Sequence, residues 1–189
     1  MSDIVREYLS KDAWMDFHTM DLEVDLWSLC PDKQEKITMF NKESDVPRFQ
    51  QSYGRSYYFS GLMHEADPIP DLLKPILEKV NNMGYGIFNQ ILLNWYANGH
   101  MYIASHADKM DQMVKDSVIV SISIGATRTF RIRDMNKNII KDYSLKSGDV
   151  VVMGGKMQEQ FKHEIVKISG KKGLKVGRRI NITFRQFKK

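Results

Sequence analysis

Cysteine is almost missing from this chain: Cys30 stands alone among 189 residues. One thiol can close neither an intramolecular bridge nor a CxxC zinc site, which excludes a disulfide-stapled scaffold and a cysteine-built finger. Long apolar runs are missing as well. No segment approaches the roughly 20 uninterrupted apolar residues needed to cross a bilayer as a helix, and the opening MSDIVREYLS carries charge where a secretory signal would not. No prenylation box closes the chain, so no membrane partner is expected. These absences predict a soluble protein of an intracellular, reducing compartment, with nucleus and cytoplasm both left open. Repeats, low-complexity tracts and Gly/Ser linkers are also lacking, so the length reads as a single domain.

What is present has ordinary globular proportions, 42% hydrophobic and 27% charged. A chain of this size buries roughly two thirds of its unfolded surface, enough for a core without metal or disulfide support. The net charge of +5 conceals an asymmetry, because residues 156–189 hold 11 Lys or Arg against 2 acids while the remainder is net acidic. A local positive field of this kind points to a polyanion such as nucleic acid, the alternative being a solvated face.

One stretch has a clear helical period. In PIPDLLKPILEKVNNMG the apolar residues Ile69, Leu72, Leu73, Ile76, Leu77, Val80 and Met83 recur at intervals of three and four, which predicts a helix from near Asp71 to Gly84 with Pro75 kinking it or delaying its start. A weaker helix is expected over the first 18 or so residues. From Phe88 onward the grammar changes to short runs rich in Ile, Val, Phe and Thr, broken by Gly, Asn, Asp and Ser. IFNQILLNWYA, SVIVSISIG, RTFRIRD, NIIKDYSL, DVVVMGG, HEIVKI and RINITFRQF read as strands, and KITMF, PRFQQSYG and SYYFSG as further ones upstream. Many antiparallel strands with one helix against them predict a mainly β (α+β) sandwich or jelly roll with one or two supporting helices.

Two features can carry chemistry. His106 and Asp108 form a His-x-Asp pair whose side chains would converge if the segment is extended, and His163 follows in FKHEIVK. Two imidazoles and one carboxylate make the facial triad that leaves Fe(II) coordination positions open, although satisfied histidines are the commoner reading of such a pattern. Arg179 and Arg185, in RINITFR, share one face of a strand with Asn181 and Thr183, while Ile180, Ile182 and Phe184 take the other. Buried guanidiniums need anions, and a dicarboxylate would supply two through bidentate forks; local acids are the alternative.

In order and spacing, NWYANGHMYIASHADK, SISIGATRTF, SGDVVVMGG, KHEIV and RRINITFRQF resemble the AlkB family of Fe(II)/2-oxoglutarate dioxygenases, over about residues 36 to 187. MFNKESDVPRFQQSYG and YYFSG are similar to the hairpin and nucleotide-recognition lid of its duplex-DNA repair branch. The resemblance implies a double-stranded β-helix that uses Fe(II), 2-oxoglutarate and O2. It also implies oxidative dealkylation of N-alkylated bases in nucleic acid, DNA more than RNA, as in repair of 1-methyladenine and 3-methylcytosine. His106, Asp108 and His163 would then hold iron, and Asn94, Tyr96, Arg179, Asn181, Thr183 and Arg185 the cosubstrate. Phe40 would fill the gap left by an extruded base, with Asn41, Lys42, Tyr57, Phe59, Ser60, Lys109 and Met110 around the substrate and Arg48 near a phosphate.

The expected organisation is an acidic segment (1–35), a lid and hairpin (36–66) and a catalytic core (67–189), acting as a monomer without appended regions. One departure stands out. Where the family usually places base-contacting acids after the iron aspartate, this chain has Lys109 and Met110, with Asp111 one place late. Rival readings are an oxygenase acting on RNA, protein or a small molecule, and a nucleic-acid-binding domain whose metal site is not catalytic.

Overall fold

The computed structural model describes residues 5–39, 42–59 and 62–188, and gives the backbone alone for residues 38, 39, 42, 57–59, 62 and 64. The chain opens with strands β1 (Val5–Tyr8) and β2 (Ala13–Thr19). Two hairpins flank a longer strand: β3 (Lys36–Met39) with β4 (Lys42–Asp45), then β5 (Phe49–Tyr53), then β6 (Tyr57–Phe59) with β7 (Leu62–His64). Phe40, Asn41 and Ser60 lie outside the described residues, and the side chains of Lys42, Tyr57 and Phe59 are likewise not described.

A short 3-10 turn at Asp71–Leu73 leads into helix α1 (Lys74–Asn81), with Pro75 in its first turn, where the lost N–H is no handicap. The proline thus delays the α-helix rather than kinking it. Then come β8 (Gln90–Tyr96), β9 (Ile103–His106), β10 (Ile119–Gly125), β11 (Arg128–Asp134), β12 (Ile139–Leu145) and β13 (Asp149–Gly155). Helix α2 (Met157–Gln160), β14 (Phe161–Ile165), helix α3 (Gly170–Leu174) and β15 (Arg179–Arg185) complete the chain.

These strands form a seven-stranded antiparallel sheet, β1-β2-β13-β10-β15-β8-β5, and a four-stranded one, β12-β11-β14-β9. Ala13, Met15, Ile119, Val151 and Met153 of the larger sheet pack with Phe130, Ile132, Leu145, Phe161 and Ile165 of the smaller. The outer face of the larger sheet, with Trp95, Ile180, Ile182 and Phe184, is covered by Leu73, Ile76 and Val80 and by Leu26. This is the jelly-roll arrangement of a double-stranded β-helix.

The expected N-terminal helix is not found. Residues 13–19 instead pair with β13, from Thr19 against Asp149 to Ala13 against Gly155, and bury Ala13 and Met15 on one face. The reason is tertiary, since partners more than a hundred residues away decide this segment. Gly154 faces Trp14 across that pair, and a Cβ there would collide with the indole ring. Segment 1–35 thus contributes β1 and β2 to the main sheet, and segment 36–66 contributes β5 to its opposite edge.

Candidate active site

Because Ile180, Ile182 and Phe184 satisfy the outer face of β15, its inner face is free to be polar. Register lines up rows of polar groups across neighbouring strands. Ser123, Asn181, Asn94 and Gln50 are successive partners from β10 through β15 and β8 to β5. Arg179 stands opposite Tyr96 in a parallel row. Asn181 donates to Ser121 Oγ at 2.7 Å and to the Ile122 carbonyl at 3.1 Å, and accepts the Thr183 hydroxyl at 3.0 Å, which holds the row rigid.

Arg179 is 1% exposed and donates from Nη2 to Ser123 Oγ at 2.9 Å, while its Nε and Nη1 have no partner among the described residues. The Tyr96 ring lies 5.2 Å from its guanidinium carbon, and burial pushes the group down to about 10. A buried guanidinium with Nε and Nη1 unused asks for an anion, and Nη1 together with the second Nη2 proton can form a bidentate fork.

The second half of the site comes from the smaller sheet. His106 at the end of β9 is the register partner of His163 on β14, with ring centroids 4.4 Å apart. Asp108 follows in the loop rather than on the strand, and its Oδ1 lies 3.9 Å from His106 Nε2. One ligand atom from each of the three falls within 4.8 Å of the others, a spacing that can hold a metal ion. Hydrogen bonding settles the tautomer of one ligand: His106 Nδ1 gives its proton to the Ala104 carbonyl at 2.9 Å, leaving the Nε2 lone pair available.

Burial lowers both imidazoles, His163 to about 3, so each stays neutral and able to ligate. Burial would raise the Asp108 carboxyl, but Arg185 and then the two histidines outweigh it and hold the group below its ordinary value. Gln158 of α2 fixes the loop by accepting the Asp108 N–H at 2.9 Å.

Both halves open on one cavity of about 800 Å³, lined by His106, Asp108, His163, Asn94, Tyr96, Arg179, Asn181, Thr183 and Arg185. The expected metal and cosubstrate residues are therefore together. The expected substrate residues divide. Lys109 lines the cavity, with Gln112 and Met113. Met110 does not face it as expected: it packs against the hydrophobic cluster between the sheets. The segment is a turn here, closed by Met113 N–H to the Met110 carbonyl at 3.0 Å. Asp111 is exposed. Arg48, expected near a phosphate, donates to Asn94 Oδ1 at 2.7 Å on the cavity wall.

Residues 30–185 match the family model described as the 2OG-Fe(II) oxygenase superfamily. The chain belongs to that superfamily. Among curated relatives, the DNA oxidative demethylase ALKBH2 of Homo sapiens is 35% identical over 101 residues, 52% of this chain and 39% of that protein. The alpha-ketoglutarate-dependent dioxygenase alkB homolog 3 of Rattus norvegicus is 31% identical over 176 residues, 83% of this chain and 57% of that one. The chain thus spans about half the length of the curated relatives it matches. The solved structure of OsALKBH1 covers 96% of this chain and all of its own at a TM-score of 0.59 and 19% identity, a likeness of fold. These relatives are AlkB homologues, in agreement with the resemblance read from the motifs.

Membership of the 2OG-Fe(II) oxygenase superfamily implies Fe(II), 2-oxoglutarate and O2. The residues present fit that set: two neutral imidazoles and a carboxylate for the metal, and an unsatisfied buried guanidinium in the same cavity for a carboxylate.

Sequence reasoning missed two residues, one lining the cavity and one supporting a loop beside it. Gln50, on β5 two positions after Arg48, was not singled out within PRFQQ. Arg128 left no signal. Its guanidinium donates to the carbonyls of Asn98, Gly99, Met101 and Val166, tying the loop between β8 and β9 to the smaller sheet.

Proposed function

We propose that this oxygenase removes alkyl groups from the ring nitrogens of nucleic-acid bases, with 1-methyladenine and 3-methylcytosine in DNA as its substrates. In this reading His106, Asp108 and His163 hold Fe(II), and Arg179 pairs with the distal carboxylate of 2-oxoglutarate. Asn94, Tyr96, Asn181 and Thr183 flank the cosubstrate, and Arg185 stands beside the metal carboxylate. The observation that carries it is the buried Arg179, with two unsatisfied nitrogens, in one cavity with the His-Asp-His cluster. Bound iron with 2-oxoglutarate and O2 supplies the oxidation of the alkyl carbon, which then leaves as an aldehyde.

The chain's own residues bind and orient. Ser123 and the Tyr96 ring fix the Arg179 fork, and Arg185 keeps Asp108 ionised. The apolar wall built from Phe130, Met153 and Ile165 keeps water away from the reacting carbon. A base inside a duplex cannot reach such a cavity, so extrusion or a single strand is required, with Phe40 as the wedge and Tyr57, Phe59 and Ser60 in the lid.

Support for a polyanion partner comes from Lys156, Lys167, Lys171, Lys172, Lys175, Arg178 and Lys188, all exposed; Arg179 and Arg185 are buried and add nothing to that field. Incubating the protein with an oligonucleotide carrying 1-methyladenine, Fe(II) and 2-oxoglutarate should give product strands lighter by one CH2 by mass. Cosubstrate turnover on a methylated peptide but on no oligonucleotide would instead favour a protein substrate.

A further inference from the structure

Base choice is left unexplained by the residues after the iron aspartate, because Met110 packs partly buried against the hydrophobic cluster, off the cavity lining, and Asp111 is exposed. Another group in the cavity answers to that need. Gln50 is 6% exposed, lines the cavity, and stands opposite Asn94 on the edge strand β5. Its Nε2 donates to Glu35 Oε2 at 2.6 Å. Its Oε1 has no hydrogen-bond partner among the described residues. A carboxylate accepts and cannot donate, so the bond to Glu35 fixes which end of the amide is which: the nitrogen is committed and the oxygen is left over. An unsatisfied buried acceptor asks for a donor, and the cavity is where one can arrive.

Position adds a second argument. Asn181 and Gln50 are separated by one intervening strand, β8, so the amide stands roughly 10 Å along the row from the Asn181 end of the cavity. It thus stands one strand beyond Asn94, at the β5 edge of the groups assigned to the cosubstrate.

We infer that Gln50, oriented by Glu35, selects a base carrying an exocyclic amino group; the inference rests on the dealkylase reading of this site. In 1-methyladenine and 3-methylcytosine the amino group sits next to the methylated ring nitrogen, and the positive charge that methylation places on the ring makes its N–H a stronger donor. Of the oxo bases, 3-methylthymine offers carbonyl oxygens on both sides of its methylated nitrogen, and 1-methylguanine has a carbonyl at the position that bears the amino group in 1-methyladenine, its own amino group lying on the opposite flank; such a carbonyl meets the Gln50 oxygen lone pair to lone pair. The Glu35 carboxylate behind the amide also favours the cationic bases over the neutral ones. Gln50 on β5, held by Glu35 from just before β3, does what an acid after the iron aspartate would have done.

The test compares kcat/KM on single-stranded oligonucleotides carrying each of the four methylated bases, for the parent, Gln50→Met and Glu35→Ala. The parent should prefer the amino bases. Gln50→Met keeps the length of the side chain without the acceptor, and should cut the amino-over-oxo ratio about 10- to 100-fold. Glu35→Ala frees the amide to turn either end to the base and should lower the same ratio by a smaller factor. Fe(II) uptake by each variant reports whether the fold is intact. A ratio unchanged in both variants, or losses equal on all four bases, overturns the inference while leaving the dealkylase reading in place. A parent that demethylates none of the four overturns that reading and the inference with it.

Discussion

Arg185 donates from Nη2 to both carboxylate oxygens of Asp108 at 3.1 Å and from Nε to Oδ2 at 3.3 Å. The carboxylate of the metal cluster is thus neutralised from below by a cation of the neighbouring sheet. Removing one partner of a buried pair leaves the other uncompensated, at a loss of about 3–5 kcal/mol. Arg185→Met should therefore destabilise the metal-free protein by about that much, and much less when Mn(II) occupies the cluster and supplies the missing charge. Urea unfolding of parent and variant with and without Mn(II) measures both. Equal losses in the two states would show that the pair has no electrostatic link to the cluster.

Arg179→Ala should weaken 2-oxoglutarate binding by about 2–4 kcal/mol, the loss expected when a desolvated carboxylate is left without its fork. Arg179→Lys should recover only part, since a point charge cannot bond two oxygens in one plane. Anaerobic calorimetry on the Fe(II)-loaded proteins reads the affinities. Parent-like binding by the alanine variant would move the cosubstrate elsewhere.

Acid should destabilise the metal-free protein before it reaches the ordinary carboxylate range. Burial and the adjacent His106 push His163 down to about 3, from an ordinary 6.5. An imidazole depressed in the folded state is protonated first in the unfolded chain, so stability is full above the unfolded value and falls as pH drops below it, until the folded value is reached. One such group gives a slope of up to about 1.4 kcal/mol per pH unit. Asp108 is also depressed, so its contribution is present above the unfolded carboxylate value and is lost at lower pH, as pH falls through the folded one. Unfolding midpoints in chelator at about pH 7.5, 6.5 and 5.5 should decline, and less steeply in His163→Gln. A flat parent profile would mean that His163 is not buried neutral.

Much of this was legible in the sequence because it is local. The alternation Arg179, Asn181, Thr183, Arg185 against Ile180, Ile182, Phe184 predicted a strand with one polar and one apolar face, and β15 has both. The three- and four-residue spacing from Ile69 to Met83 predicted a helix from near Asp71 to Gly84, and α1 occupies Lys74–Asn81 within it. What escaped is set by distant partners. Residues 13–19 are a strand because β13 accepts them, and Gln50 matters because Glu35 holds its amide. Met110 was placed beside the base from its position after the iron aspartate alone, and a turn closed by Met113 N–H to the Met110 carbonyl, which that position did not reveal, lies there instead.

That correction has its own test. Met110→Asp should destabilise the fold by about 1–3 kcal/mol, by burying a carboxylate among apolar side chains, and leave the ratio of rates on 1-methyladenine and 3-methylcytosine unmoved. Thermal unfolding and the two rates decide it. A stable variant with an altered ratio would put residue 110 back in the base pocket.

The central claim is that the cluster and the buried arginine row form one oxidising site that acts on a methylated base. It is tested most directly by counting succinate and formaldehyde released from one oligonucleotide carrying 1-methyladenine, with Fe(II), 2-oxoglutarate and O2. The account predicts one formaldehyde for each succinate formed in response to substrate, and neither product from His106→Ala. Succinate whose release the methylated strand does not stimulate, with no formaldehyde beside it, would contradict the account.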